Sequence, residues 1–208
     1  MTQGDTDLDV IIIGGGVAGL WTLNQLHHQG YRAILLEADQ LGCGQTLASQ
    51  GMIHGGIKYA LGGALTGASE AIADMPDRWR AALAGQGPVD LSGLETLADR
   101  YYLFAEGTSL GRLTTFFASR VLRGRIERLK PADFPVGLTG YDGVVYGLQD
   151  FVLDTRALLE RLKAPVRDRI YRLRVQSEHL ARHEHGWQLS LPGSDKVLDA
   201  RRLLLCAG

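Results

Sequence analysis

The sequence holds only two cysteines, Cys43 and Cys206. They lie far apart and without metal-ligand spacing, which sets aside a disulfide framework and a metal site and suits a reducing compartment. No apolar run approaches the ~18 residues that crossing a bilayer takes. The opening MTQGDTDLDV is acidic where a secretory signal is basic and then apolar. The cytoplasm is the expected compartment, with peripheral membrane contact left open. Neither sign of charge is in surplus. The 22 lysines and arginines meet 23 aspartates and glutamates, so no global field draws in nucleic acid or an anionic membrane. The densest basic run, Arg120, Arg123, Arg125, Arg128 and Lys130, has no interleaved aromatics and reads as a solvated face, so no nucleic-acid partner is expected. Internal repeats and low-complexity tracts are also missing.

What is present is enough apolar content, 45% of 208 residues, to bury a core. Asp9 to Ile13 reads as a strand buried on both faces, and Gly16 to Gln29 as a helix with Leu20, Leu23 and Leu26 on one side and Gly30 at its C-terminal end. A second strand, Ala33 to Leu36, ends at Glu37, and the three pieces have the length of a right-handed βαβ unit. The stretch LGCGQTLASQGMIHGG has no period and reads as loop, or as a short helix wrapped in loop. Ile72, Met75, Trp79 and Leu83 have helical spacing, with Pro76 as a start or kink. Tyr101 to Phe104 reads as a strand, Leu113, Phe116, Phe117 and Val121 as a helix, and PADFP as a break. GYDGVVYG carries a turn and a short strand, and Asp154 is placed to cap a helix through Leu158, Leu159 and Leu162. The runs Ile170 to Val175, Trp187 to Leu191 and Arg202 to Leu205 suggest a small antiparallel meander.

Gly14, Gly16 and Gly19 form G-x-G-x-x-G between strand and helix. The first glycine permits a tight turn, the second lets a diphosphate approach the main chain, and the third lets helix and strand pack closely. The helix start then offers unpaired N–H groups and partial positive charge to that diphosphate. Glu37, eighteen residues beyond Gly19, stands where a carboxylate accepts ribose hydroxyls and repels a 2′-phosphate. That disfavours NADP and leaves NAD and FAD unseparated.

Over Asp9 to Tyr59, DVIIIGGGVAGLWTLNQLHHQGYRAILLEADQLGCGQTLASQGMIHGGIKY, and more faintly at the closing LLLCAG, the sequence resembles FAD-dependent oxidoreductases of the D-amino-acid oxidase and glycine oxidase superfamily. Within it the look is nearest to glycerol-3-phosphate dehydrogenase and L-2-hydroxyglutarate oxidase. The resemblance implies an α/β fold, a Rossmann-like FAD-binding domain with an antiparallel meander and an inserted α+β substrate domain. On this chain that divides as 1–80 for the first part of the FAD domain, 81–150 for part of the substrate domain and 151–208 for the second part of the FAD domain. It also implies that Gly14, Gly16, Val17, Ala18 and Gly19 bind the FAD diphosphate, and that Glu37, with Ala38 beside it, binds the adenosine ribose. Thr46, Ser49, Gln50 and Gly51 would lie near the diphosphate, ribityl chain and ring, Ile170 at the adenine, and Ala207 and Gly208 against the cofactor.

His54 would fall near the flavin ring, as a base or a substrate-positioning group, with a histidine bonded within its own loop as the plainer reading. Covalent flavin attachment is not expected there, because the linking histidine of such relatives aligns near Ala48. Cys43 reads as loop filling, Cys206 as core, and Tyr101, Tyr102 and Tyr146 as packing or site lining. The implied activity is oxidation of a CH–OH or CH–NH carbon of a small amino acid, hydroxy acid or polyol phosphate, with hydride passing to flavin N5 and electrons onward to oxygen, a quinone or another acceptor. The apolar ending LLLCAG reads as a fragment boundary. The rival expectations are an FAD-binding fragment without turnover and an NAD-linked dehydrogenase, the latter disfavoured by the long small-residue segment after Glu37.

Overall fold

Two heavy atoms on Cβ make valine and isoleucine poor helix formers and good strand formers, and the run from Val10 lies in β1 (Asp7–Ile13). The computed structural model describes residues 7–56, 72–104 and 126–207. Helix α1 (Val17–His28) follows, with Gly16 at its N-cap and Gln29 at its C-cap. Gly30, at φ +81, takes the left-handed conformation that commonly closes a helix. β2 (Ala33–Glu37) lies parallel to β1, from Val10 against Ala33 to Ile13 against Leu36, so the expected strand, helix and strand are present.

The small-residue stretch after Glu37 is loop around a one-turn helix, α2 (Gln45–Ala48), and leads to a short strand, β3 (Met52–Ile53). Helix α3 (Met75–Leu83) places Pro76 in its first turn, where the missing N–H has no helical partner to lose. Strands β4 (Thr96–Ala98), β5 (Tyr101–Phe104), β6 (Ile126–Arg128), β7 (Val145–Leu148) and β8 (Phe151–Leu153) come next. Helix α4 (Thr155–Lys163) begins directly after Asp154 and buries Leu158, Leu159 and Leu162. The last strands are β9 (Ile170–Arg172), β10 (Leu180–His183), β11 (Gly186–Ser190) and β12 (Val197–Leu205). The helix expected through Leu113, Phe116, Phe117 and Val121 lies outside the described residues, as do Arg120, Arg123 and Arg125, while Arg128 and Lys130 are exposed. Among the described residues, no helix is long and apolar enough to cross a membrane.

The chain folds as two compact units. The first comprises residues 1–50, 81–94 and 155–208, the second 51–80 and 95–154. The first unit is built on a six-stranded sheet in the order β10, β11, β12, β1, β2, β9. Its four central and edge strands β12, β1, β2 and β9 run parallel, and β10, β11 and β12 form an antiparallel meander.

This corrects one expectation. Ile170 to Arg172 is not the first strand of the meander but a parallel edge strand, with Leu35 against Ile170 and Glu37 against Arg172. The meander begins instead at Leu180. Val10, Ile12, Ala33 and Leu35 are buried on one face of the sheet, the face met by α1, since a Cβ on Gly19 would lie 3.2 Å from Leu35 Cδ1. Ile11 and Leu36 centre a second cluster with Leu189 and Ala200.

Alongside Leu20 and Leu23, α1 buries a polar residue, Asn24. Its Nδ2 donates to the Leu20 carbonyl at 2.8 Å and to the Leu162 carbonyl at 2.7 Å. Leu162 sits in the last turn of α4, where carbonyls lack intrahelical partners, so Asn24 ties the two helices by satisfying one of them. Asn24→Ala is expected to destabilise the chain by about 1–3 kcal/mol, the range for leaving a buried carbonyl without a donor, read as a shift in the urea midpoint.

The second unit contains two three-stranded antiparallel sheets, ordered β3, β8, β4 and β5, β7, β6. Tyr146 is buried there, whereas Tyr101 is exposed. Arg80 braces this unit. Its Nη2 donates to the carbonyls of Asp99 at 3.0 Å and Gln149 at 3.2 Å, and its guanidinium lies 4.5 Å above the Phe151 ring.

Candidate functional site

The parallel strands of the first unit end at one edge of the sheet, at Ile13, Glu37, Arg172 and Leu205. From β1 the chain winds to β2 on one side, while β12 lies on the other. Such a reversal is where open α/β sheets leave a crevice beyond their strand ends. Gly14 stands at that point. The Cys206 N–H donates to the Ile13 carbonyl at 2.7 Å, Gly14 has φ +112, and a Cβ on it would collide with the backbone of Cys206 and Ala207. A Cβ on Gly19 would collide with the Gly14 carbonyl oxygen, so α1 can start this close to β1 only without a side chain there.

Gly16 differs from both. Its backbone is extended at φ −77 and ψ −176, and among the described residues a Cβ would meet only Thr46 Oγ1, at 3.2 Å. The outer side of the turn is therefore open. Gly16 has no side chain to cap the helix, and the Thr46 hydroxyl accepts the Val17 N–H at 3.1 Å instead. Ser49 Oγ donates to the Thr46 carbonyl at 2.8 Å, which closes the end of α2.

Glu37 closes β2 with both carboxylate oxygens engaged. Oε2 accepts the Gly15 N–H at 2.6 Å and Oε1 the Asp39 N–H at 2.9 Å. A carboxylate has about four lone-pair sites, so acceptor capacity for hydroxyl groups remains. The residue expected to face a ribose thus also holds the glycine turn, a task invisible in its spacing. Beside it, Arg172 Nη2 reaches Asp39 Oδ1 at 3.4 Å.

The first unit brings together the Gly14–Gly19 turn, Glu37, Ala38 and Thr46, with Ser49, Gln50 and Ala207 exposed. Ile170 opens β9, partly buried and paired with Leu35. Gly208 lies outside the described residues. Cys206, expected in the core, is only half-buried, though burial pushes its thiol upward, and Cys43 is exposed.

Gly51 and His54 belong to the second unit. Gly51 has φ +67, and its carbonyl accepts the Leu153 N–H at 2.9 Å. His54 is half-buried, and its Nδ1 accepts the Gly56 N–H at 3.3 Å. Sequence reasoning passed over Asp150, a buried carboxylate whose Oδ1 accepts the Gly55 N–H at 3.1 Å.

Residues 9–208 match the DAO family, described as FAD dependent oxidoreductase. The chain belongs to this family. Its cofactor is accordingly FAD, which removes the NAD-linked alternative. The residues present fit such a group: a strand, glycine turn and helix with an open outer side at Gly16, and a carboxylate at the end of the next strand.

Over 203 residues, 96% of the chain, this member of the family is 44% identical to the probable FAD-dependent oxidoreductase PA4991 of Pseudomonas aeruginosa, spanning 51% of that protein. The crystal structure of PA4991 superposes with a TM-score of 0.70 at 32% identity, over 100% of this chain and 49% of that one. Glycine oxidase from Geobacillus kaustophilus shares the fold, with a TM-score of 0.69 at 17% identity over 98% of this chain and 56% of that one. Aerobic glycerol-3-phosphate dehydrogenase of Escherichia coli is 39% identical over 51 residues, 24% of this chain and 10% of that protein. The chain spans about half the length of PA4991.

Proposed function

We propose that this protein oxidises a CH–OH or CH–NH carbon of a small amino acid, hydroxy acid or polyol phosphate in the cytoplasm. The observation that carries the reading is the Gly14–Gly19 turn, set where the winding of the sheet reverses, with Glu37 bonded to it. Gly14, Gly16, Val17, Ala18 and Gly19 hold the FAD diphosphate at the start of α1, where first-turn N–H groups other than that of Val17, which Thr46 accepts, have no helical partner. Glu37 accepts from the ribose, with Ala38 giving it room. Thr46, Ser49, Gln50 and Gly51 serve the diphosphate, ribityl chain and ring, Ile170 the adenine, and Ala207 and Gly208 pack against the cofactor. His54 serves the substrate. The partition 1–80, 81–150 and 151–208 into FAD, substrate and FAD segments belongs to the same reading.

When bound, FAD supplies the hydride acceptor, while the protein supplies binding and orientation. The glycine turn excludes side chains from the diphosphate, Glu37 fixes the ribose end, and His54 orders the substrate.

The test is to purify the chain, add FAD, remove the excess and record the visible spectrum. Retained flavin bands that bleach anaerobically with a hydroxy acid, amino acid or polyol phosphate are the expected result, and the bleaching substrate names the class. Retained bands that no substrate bleaches make the chain an FAD-binding fragment without turnover. A chain folded by circular dichroism that retains no flavin overturns the reading.

A further inference from the structure

The second unit buries a carboxylate that the reading above leaves without a task. Asp150 is 4% exposed and stands directly before β8, whose Val152 and Phe151 pair with Met52 and Ile53 of β3. The same antiparallel register, continued by one residue, sets His54 opposite Asp150. There the strands end, and the N–H of Gly55 turns to the Asp150 carboxylate, donating to Oδ1 at 3.1 Å.

Both sides of this contact are braced. Arg80 donates to the carbonyl of Gln149 and lies over the ring of Phe151, so each neighbour of Asp150 is held. On the other side, a Cβ on Gly55 would come within 3.1 Å of the Ala73 carbonyl. A carboxylate held away from water is unfavourable unless it is bonded to specific donors, and one such donor here belongs to the turn that carries His54.

That turn also bears on which imidazole nitrogen holds the proton. The Gly56 N–H points to His54 Nδ1 at 3.3 Å. A backbone N–H only donates, so this contact suits an unprotonated Nδ1, with the ring proton on Nε2.

We propose that Asp150 is a positioning residue for His54. Its carboxylate clamps Gly55, the clamp holds the 54–56 turn, and the turn presents His54 as an Nε2–H donor to an oxygen of the substrate. This rests on His54 serving the substrate, and it gives the imidazole hydrogen-bond donation in place of proton abstraction.

The test uses the full chain with 15N-labelled histidine and glycine, read by long-range proton–nitrogen correlation of the imidazole and by amide exchange. In the wild type, His54 shows the Nε2–H pattern and the Gly55 amide is protected. Asp150→Ala speeds Gly55 exchange about tenfold or more, as local opening would, and moves the His54 signals towards those of a freely rotating imidazole at unchanged circular dichroism. Asp150→Asn keeps an oxygen acceptor and restores both readouts.

An Nδ1–H pattern in the wild type overturns the proposal, and so does an Asp150→Ala chain with wild-type His54 signals. If Asp150→Ala does not fold, the wild-type tautomer and the Asn variant decide, with the Nε2–H pattern kept in both as the supporting result and its loss in Asp150→Asn as the contrary one. None of these readouts uses FAD, so failure of cofactor loading and failure of the positioning role are separate results.

Discussion

Alanine at Gly14 is expected to remove about 4 kcal/mol of folding stability, combining the penalty for a left-handed non-glycine residue with that for forcing atoms into a filled space. Both conditions hold at this position: φ is +112, and the added carbon would overlap the main chain of Cys206 and Ala207. Backbone cannot swing aside as a side chain can, so β12 has to move away from β1. A loss of this size takes a large part of the ~5–15 kcal/mol by which domains are stable. Gly30→Ala is the control. Its φ of +81 makes the same conformational demand, but among the described residues nothing lies within 4 Å of its added carbon, and the expected loss is about 1–2 kcal/mol. Urea denaturation of the two variants measures the difference. Equal losses would mean that the junction of β1 and β12 tolerates a side chain.

Alanine at Gly16 is expected to separate binding from folding. The backbone there is extended, and among the described residues the added carbon meets only the Thr46 hydroxyl at 3.2 Å, so stability falls by less than about 1 kcal/mol, as at sites without a buried clash. The same carbon occupies the open side of the turn, where the proposed diphosphate would reach the first N–H groups of α1. Losing one charge-assisted hydrogen bond, roughly 1.5–3 kcal/mol, corresponds to a drop in FAD affinity of about 10- to 100-fold. Flavin fluorescence titration of wild type and variant reads this directly. Unchanged affinity would move the diphosphate away from Gly16.

The contrast between these glycines shows what was legible in the sequence. β1, α1 and β2 could be read because long apolar runs, helical spacing and a glycine triplet all agree locally. Ile170 to Arg172 looked like a meander strand because a three-residue run carries no mark of parallel or antiparallel pairing, which its partner β2 decides. Leu180 to His183 escaped notice because an exposed edge strand, with Arg182 and His183 facing water, needs no apolar alternation.

At the site, Glu37 was legible as an acid at the end of a strand. Its bond to Gly15 depends on how two loops fold back. Asp150 was illegible for a stronger reason. In GLQDFVLD nothing distinguishes a buried aspartate from a solvated one, and only the pairing of β3 with β8 encloses it.

The strand order also governs the time course of folding. β1 and β2 are neighbours along the chain, but the other side of β1 is filled by β12, with Ile13 against Leu205, and the outer side of β2 by β9. Pairings this distant along the chain require large loops to close before any stabilisation is gained, and such topologies fold slowly. As the polypeptide emerges from a ribosome, the run Val10 to Ile13 therefore waits with one edge unpaired until β12 arrives. An unpaired apolar strand edge is where nascent chains aggregate, so β1 is the strand of this sheet whose exposure during synthesis lasts longest.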